Sequence, residues 1–349
     1  MKQETKKIGV IGSGSFGTTV AKLLAHNGEV LLFSRQDAIV EKINTTHEHL
    51  QVPLSEKIQA TSSYEELANQ CTLIFPVIPS AAFRESMQAV SPYLRPDHIL
   101  IHATKGLGLR DIDEDNLKDA VITRDNIRTM SEIILEETVV KRIGCLSGPN
   151  LSTEILENQP TATVVASHFD EVINAGEDAL NSNYFFVFGS HDLLGAELSG
   201  ALKNMIALGS GILGGKGLGK NIQAMLITRG LHEMAQFGKA MGAERQSFFG
   251  TSGIGDLVAT ATSKKSRNYT FGYRFAQGES INQILADMSE VAEGLRTLKI
   301  AQQLAEYYRL SVPITNMLYR VVFENYDVRK AITSLMRYPL VQDVSFGGV

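Results

Sequence analysis

The segment KIGVIGSGSFGTTVAKLLAHNGEVLLFSR, residues 7–35, decides the fold. KIGVIG is a short apolar run expected to be a buried strand. FGTTVAKLLAHNG repeats apolar residues at helical steps and is expected to close at Gly28, and EVLLFSR is a second strand run. Between the first strand and the helix, Gly12, Gly14 and Gly17 keep the G-x-G-x-x-G spacing. In that setting the first glycine permits a tight turn, the second lets backbone approach a pyrophosphate, and the third lets helix and strand pack closely. The phosphates then face the positive end of the helix. A plain glycine-rich turn is the competing reading, and the strand–turn–helix–strand context disfavours it. The second strand ends at Ser34 and Arg35, and a guanidinium grips a ribose 2′-phosphate as a fork. Asp37 stands close enough to serve a ribose hydroxyl instead, so the expected cofactor is NADPH or NADH, with NADPH favoured and Arg35 as a plain surface charge the alternative.

Working outward, CTLIFPVIP, HILIHATKG, RIGCLSGP and TATVVAS read as further strands, with AAFRESMQAVSPYL a helix among them. Alternation of strand and helix implies parallel pairing with helices on both faces. After about residue 195 the strand signals stop, and long amphipathic stretches such as NIQAMLITRGLHEMAQFGKAMG and LRTLKIAQQLAEYYRL take over. The expected fold is α/β: a Rossmann-like, doubly wound, mainly parallel sheet over residues 1–194, then an all-α substrate-binding domain over 195–349. The acidic run DIDEDNLKD, 111–119, reads as a solvated excursion rather than a coordination loop.

Bulk properties agree with an ordinary globular protein. The chain has 349 residues, of which 44% are hydrophobic and 20% charged, a length that favours two domains. A net charge of -5 and a pI near 5.9 argue against a general nucleic-acid binder. Cys71 and Cys145, the two cysteines, lie in apolar strand-like runs and support neither a disulfide framework nor a thiolate metal site. The opening MKQETKK is followed by an apolar run broken at once by GSGSFG, unlike a signal peptide. No apolar run approaches the roughly 18 residues that span a bilayer. The expected setting is cytoplasmic, with no membrane insertion, no nucleic-acid partner and no metal.

The stretch AELSGALKNMIALGSGI, 196–212, places Lys203 among Leu198, Leu202, Met205, Ile206 and Ile212 on a helix packed on most sides. A fully buried ammonium costs several kcal/mol unless paired. Either Lys203 snorkels to solvent or this helix holds an amine in a dry place. Elsewhere, Lys105 in HATKGLG follows a strand at the carboxyl edge, where ligands bind in open sheets, and CLSGPN, 145–150, turns toward the same edge. GIGDLVATATSKKSRN supplies Asp256 and then Ser266, Arg267 and Asn268 at the opening of a helix, a good phosphate grip. Lys264 and Lys265 read as solvated surface charge.

These residues match a family. With GSGSFGT, ATKG, SGP, GALKNMIALGSG, NIQAMLITRGLHEM, GDL, SRN and VAEG in order, nearly the whole chain resembles bacterial-type NAD(P)-dependent glycerol-3-phosphate dehydrogenase. The resemblance implies a 6-phosphogluconate dehydrogenase-like arrangement. It implies that Ser15, Phe16, Arg35, Lys105, Ser152, Arg267, Val291 and Glu293 join the three glycines around the dinucleotide. It likewise implies that Lys105, Gly148, Asn150, Lys203, Asp256, Ser266, Arg267 and Asn268 surround the substrate, with Lys203 transferring the proton and Lys105 and Asp256 assisting. Asn150 stands where the family usually has a small hydroxyl residue, Ser152 where alanine is common, and the 111–119 run is longer than usual. The implied reaction interconverts the small molecules dihydroxyacetone phosphate and sn-glycerol 3-phosphate, feeding phospholipid synthesis, in an enzyme expected to be a homodimer. Two rivals keep the cofactor: a hydroxy-acid dehydrogenase, which SRN disfavours, and a catalytically silent NADPH sensor, which would tolerate loss of Lys203.

Other motif-like strings fail. GGKGLGKN, 214–221, resembles a phosphate loop but has Asn221 where the magnesium-binding hydroxyl belongs and a helix before it. His98 and His102 flank a strand run and so do not share the helical face of a zinc pair, while His232 and Glu233 read as structural. No serine has a nucleophile-elbow context.

Overall fold

The computed structural model describes residues 7–112, 121–288 and 292–337. Val291 and most of the acidic run, 113–119, lie outside the described residues.

The chain opens with β1 (Lys7–Ile11), α1 (Ser15–Leu24), β2 (Val30–Phe33) and α2 (Asp37–Thr46). A small hairpin of β3 (Glu48–His49) and β4 (Val52–Pro53) leads to β5 (Ile58–Thr61), α3 (Tyr64–Gln70), β6 (Cys71–Pro76), α4 (Ser80–Val90) and β7 (Ile99–His102). A second hairpin, β8 (Gly108–Leu109) with β9 (Ile127–Arg128), precedes α5 (Met130–Glu137), β10 (Arg142–Ser147), α6 (Ser152–Leu156), β11 (Thr161–Ser167), α7 (Asp170–Leu180) and β12 (Phe185–Ser190). Among the described residues, eight strands form one sheet in the order β12-β11-β10-β7-β6-β1-β2-β5. From β1 the chain runs outward to β2 and β5, then returns to β6 on the other side of β1. That reversal opens a crevice at the carboxyl ends of β1 and β6, where open α/β sheets bind ligands.

Two details differ from a strict alternation of parallel units. Helix α1 stops at Leu24, and Gly28 instead closes the turn beyond it, its amide donating to the Leu24 carbonyl at 3.0 Å. Strands β10 and β11 pair antiparallel, whereas the other neighbours in the sheet are parallel. The reason is local. Helix α6 has five residues, about 7.5 Å of rise, too short to carry the chain back along the six-residue β10, about 20 Å long. The chain therefore re-enters the sheet from the edge it left. The edge strands β5 and β12 were not apparent from pattern alone. In β12, Phe185 and Val187 point into the core while Phe186 and Phe188 remain half exposed.

Beyond Ser190 the described residues form no strand. They form α8 (Leu193–Gly215), α9 (Lys220–Met241), α10 (Asp256–Thr262), α11 (Arg267–Ala276), α12 (Ile281–Asp287), α13 (Glu293–Tyr307), α14 (Pro313–Phe323) and α15 (Val328–Met336). Helix α8 is the axis of this half, buried along almost its whole length. Its first turns pack Leu193 and Ala196 on Cys145, Val164 and Ala166 of the sheet, while its later turns join the helical core. Helix α11 crosses α8 at close range because glycines face backbone there: a Cβ at Gly211 would lie 2.0 Å from the Tyr269 carbonyl oxygen, and one at Gly272 2.0 Å from that of Leu208. Glu233 is structural, as its sequence context indicates: its buried carboxylate accepts from the amides of Ile314 and Thr315 at the start of α14, at 2.6 and 2.9 Å. Among the described residues no helix is long and apolar enough to cross a membrane.

Candidate active site

The glycine turn between β1 and α1 is built so that no side chain fits inside it. Gly12 has φ +117, in the region that favours glycine, and a Cβ there would sit 2.3 Å from the Val77 carbonyl oxygen. A Cβ at Gly17 would lie 1.9 Å from the Gly12 oxygen, so α1 lies directly against the turn. Gly14 precedes α1 and brings no side-chain acceptor to its leading amides, leaving them turned toward the space a pyrophosphate would fill. Ser15 and Phe16 open α1. The turn is braced by Ser13 and His49, which the sequence did not single out, and by Ser34: Ser13 Oγ bonds Ser34 Oγ at 2.9 Å, and buried His49 donates from Nε2 to the Ser13 carbonyl at 2.8 Å. Arg35 stands exposed just past β2. Ser152 opens α6, which packs on α1. The donor set and a cradle clear of side chains fit a dinucleotide.

Glu293 begins α13 and reaches the first residue of α4. Its two carboxylate oxygens accept from the Ser80 amide at 3.0 Å and the Ser80 hydroxyl at 2.6 Å.

At the carboxyl edge of β7, Lys105 donates from Nζ to the Gly148 carbonyl at 2.7 Å and to Asp256 Oδ2 at 2.6 Å. Lys203, from α8, donates from Nζ to the other oxygen of the same carboxylate, Asp256 Oδ1, at 2.5 Å, and to Thr260 Oγ1 at 2.5 Å. One aspartate thus joins a lysine of the sheet half to a lysine of the helical half. Lys203 is only 5% exposed, so it does not snorkel. Burial pushes its pKa down to about 7; the Lys105 and Arg267 charges push the same way, against the pull of Asp256.

Around this pair runs a chain of amides. Asn204 donates from Nδ2 to the Lys105 carbonyl at 3.1 Å, Asn268 donates from Nδ2 to Asn204 Oδ1 at 2.9 Å, and the Gly294 amide donates to Asn268 Oδ1 at 2.9 Å. Ser266 caps α11, accepting from the Tyr269 amide, so its hydroxyl also has a structural task; Arg267, itself exposed, follows as the first residue of the helix. Asn150 donates to Thr163 Oγ1 at 3.0 Å, and its Oδ1 is buried with no partner among the described residues, as are the hydroxyls of Ser147 and Ser199.

Lys105, Gly148, Lys203, Asp256 and Asn268 therefore converge, with Gly148 contributing a backbone oxygen. Ser152 lies on the glycine-turn side instead. Thr260 and Asn204 belong to the cluster although the sequence reading did not name them as site residues. Thr260 was findable, being four residues after Asp256 and so on the same face of α10.

Residues 7–173 match the family model described as NAD-dependent glycerol-3-phosphate dehydrogenase N-terminus, and residues 192–333 match that for the C-terminus. A curated glycerol-3-phosphate dehydrogenase (NAD(P)+) of Saccharophagus degradans is 37% identical over 344 residues, 97% of this chain and 92% of that one. Its counterpart in Staphylococcus aureus is 38% identical over 339 residues, 95% of this chain and 97% of that one. The crystal structure of glycerol-3-phosphate dehydrogenase from Coxiella burnetii is similar with a TM-score of 0.84 at 29% identity, covering 95% of this chain and 99% of that chain.

Proposed function

Because the chain belongs to the NAD-dependent glycerol-3-phosphate dehydrogenase family, we propose that Lys203, Lys105 and Asp256 perform the proton chemistry of that reaction. The enzyme interconverts dihydroxyacetone phosphate and sn-glycerol 3-phosphate with NADH or NADPH. The nicotinamide supplies or accepts the hydride at substrate C2. What the chain must add is a proton on the carbonyl oxygen and a counter-charge while that oxygen becomes negative.

Lys203 donates that proton during reduction and takes it back during oxidation. Its pKa near 7 makes both directions accessible at neutral pH, and the apolar helix around it is the cause. Lys105 stands beside it as the second positive charge. Asp256 keeps both ammonium groups oriented and offsets part of the cost of burying Lys203. Arg267, with Asn268 and Ser266, grips the phosphate, so that binding energy remote from C2 aligns the reacting carbon. Gly12, Gly14, Ser15, Phe16, Gly17, Arg35, Ser152 and Glu293 hold the dinucleotide, with Val291 assigned to the same site by the family resemblance alone. NADPH is the preferred cofactor, through Arg35. The proposed domain boundary falls at the start of α8, with residues 1–194 as the dinucleotide-binding domain and 195–349 as the substrate-binding domain, each lending residues to the other's ligand. The proposed assembly is a homodimer, which sedimentation equilibrium tests.

The observation that carries this reading is the single buried carboxylate shared by two lysines from opposite halves, one with its pKa brought to neutrality. Its test is Lys203→Ala. We expect kcat to fall by about 10²–10⁴, with the circular dichroism spectrum and NADPH binding retained. Near-normal kcat in that variant would remove Lys203 from the chemistry.

A further inference from the structure

The loop that carries Lys105 is fastened on both sides by groups that lie outside the lysine cluster. Before the lysine, Thr104 donates from Oγ1 to the Ile78 carbonyl at 2.6 Å. After it, Arg296 reaches across from α13 and donates from Nη1 to the Leu107 carbonyl. The same guanidinium donates to Ser80 Oγ at 3.2 Å, and that hydroxyl passes its own proton toward Glu293. Between the two fastenings lies Gly106. A Cβ there would be 2.5 Å from Ser80 Cβ and 3.0 Å from Glu293 Oε2, so the loop backbone rests directly on the serine–carboxylate pair.

We propose that Arg296 is a positioning residue for Lys105, holding the backbone beyond it through the Leu107 carbonyl and Ser80. This rests on the reading of Lys105 as part of the catalytic site. The physical need is plain. The Lys105 ammonium is held at its tip by Gly148 and Asp256, but a lysine has a flexible four-carbon stem, and its tip can stay on those acceptors in several poses if its Cα moves. A displacement of about 1 Å at a reacting group costs about 10²-fold in rate. Arg296 sits one turn after Glu293 on α13, so the element that presents Glu293 also fixes the lysine loop. A purely structural arginine, welding α13 to α4, would affect melting but leave kcat of the folded enzyme unchanged.

The experiment is a double-mutant cycle on the full-length enzyme, measuring kcat and KM for dihydroxyacetone phosphate and NADPH in R296A, K105A and the double variant. We expect R296A to lower kcat by about tenfold or more with a smaller change in KM for dihydroxyacetone phosphate. The double variant should be no slower than K105A alone, because Arg296 acts only through that lysine. The same cycle with R296K serves if R296A does not fold; a lysine ammonium ends one bond short of the Nη1 position that meets both acceptors, so a smaller but equally non-additive loss is expected. Wild-type kcat in both Arg296 variants, or losses that multiply with that of K105A, would overturn the role of Arg296. An undiminished kcat in K105A would instead overturn the assignment of Lys105 itself, so the two failures are told apart.

Discussion

At the residue scale, the proposed chemistry turns on what burial does to Lys203. Removing water penalises the ammonium more than the amine, and the neighbouring Lys105 and Arg267 add to that penalty. Asp256 opposes it without cancelling it, which is why the pKa settles at about 7 rather than near the 10.5 of a free lysine. Reduction needs the ammonium and oxidation needs the amine. We therefore expect kcat/KM for dihydroxyacetone phosphate reduction to fall as pH rises through about 7, and kcat/KM for glycerol 3-phosphate oxidation to rise through the same point. In Asp256→Asn the opposing anion is gone, so both midpoints should move to lower pH, along with a large loss of rate. Profiles measured in both directions decide it; an unmoved midpoint in the variant would show that another group titrates. Much of this was legible in the sequence: a lysine in an apolar helical run must be either solvated or held dry. The identity of its counter-charge was not legible in the helix itself; Asp256 was given that part only through the family resemblance, because nothing in α8 specifies the aspartate that meets the lysine.

At the scale of elements, the crossing of α8 and α11 sets the distance between Lys203 and the proposed phosphate grip. Lys203 lies on one helix and Asn268 on the other, linked through Asn204. Their backbones approach so closely that Gly211 and Gly272 have no room for a methyl group. Gly272→Ala places a Cβ 2.0 Å from the Leu208 carbonyl oxygen and must push the helices apart. We expect a cost of about 1–3 kcal/mol, or roughly 2–4 °C in Tm per kcal/mol, together with a raised KM for dihydroxyacetone phosphate. A thermal melt and a saturation curve measure both, and a variant with unchanged Tm and KM would mean the crossing is not constrained. Periodicity placed α4, α8, α9 and α13, because each apolar stripe must be buried, but it did not single out α2, α3, α5, α6 or α7. It left out β5 and β12, whose places at the sheet edges relax the demand for burial. It also left the antiparallel return into β11 unstated, since that depends on the short reach of α6.

At the scale of the molecule, the reversal of strand order beside β1 puts the dinucleotide cradle and the Lys105 loop on one edge of the sheet, and α8 carries the helical half onto that edge. Cofactor binding is then coupled to the stability of the whole. At a free concentration a hundred times its Kd, a ligand that binds only the folded state stabilises it by about 2.7 kcal/mol, which appears as a rise in Tm. If Arg35 receives a 2′-phosphate, Arg35→Ala should lose most of the shift produced by NADPH while keeping that produced by NADH. Thermal shift with each cofactor at equal concentration tests this, and equal losses for both would remove Arg35 from the choice of cofactor.

The amino-acid order alone determined the glycine cradle, the change from strand signals to helix signals near residue 195, and the placing of a lysine in an apolar helix, because each of these is written within a few neighbouring residues by spacing and periodicity. Tertiary structure alone decided which groups meet. Asp256 lies 151 residues from Lys105 and 53 from Lys203, and Glu293 lies 213 residues from Ser80. Periodicity fixes which face a side chain occupies; only the folding of the chain in space fixes what stands opposite that face.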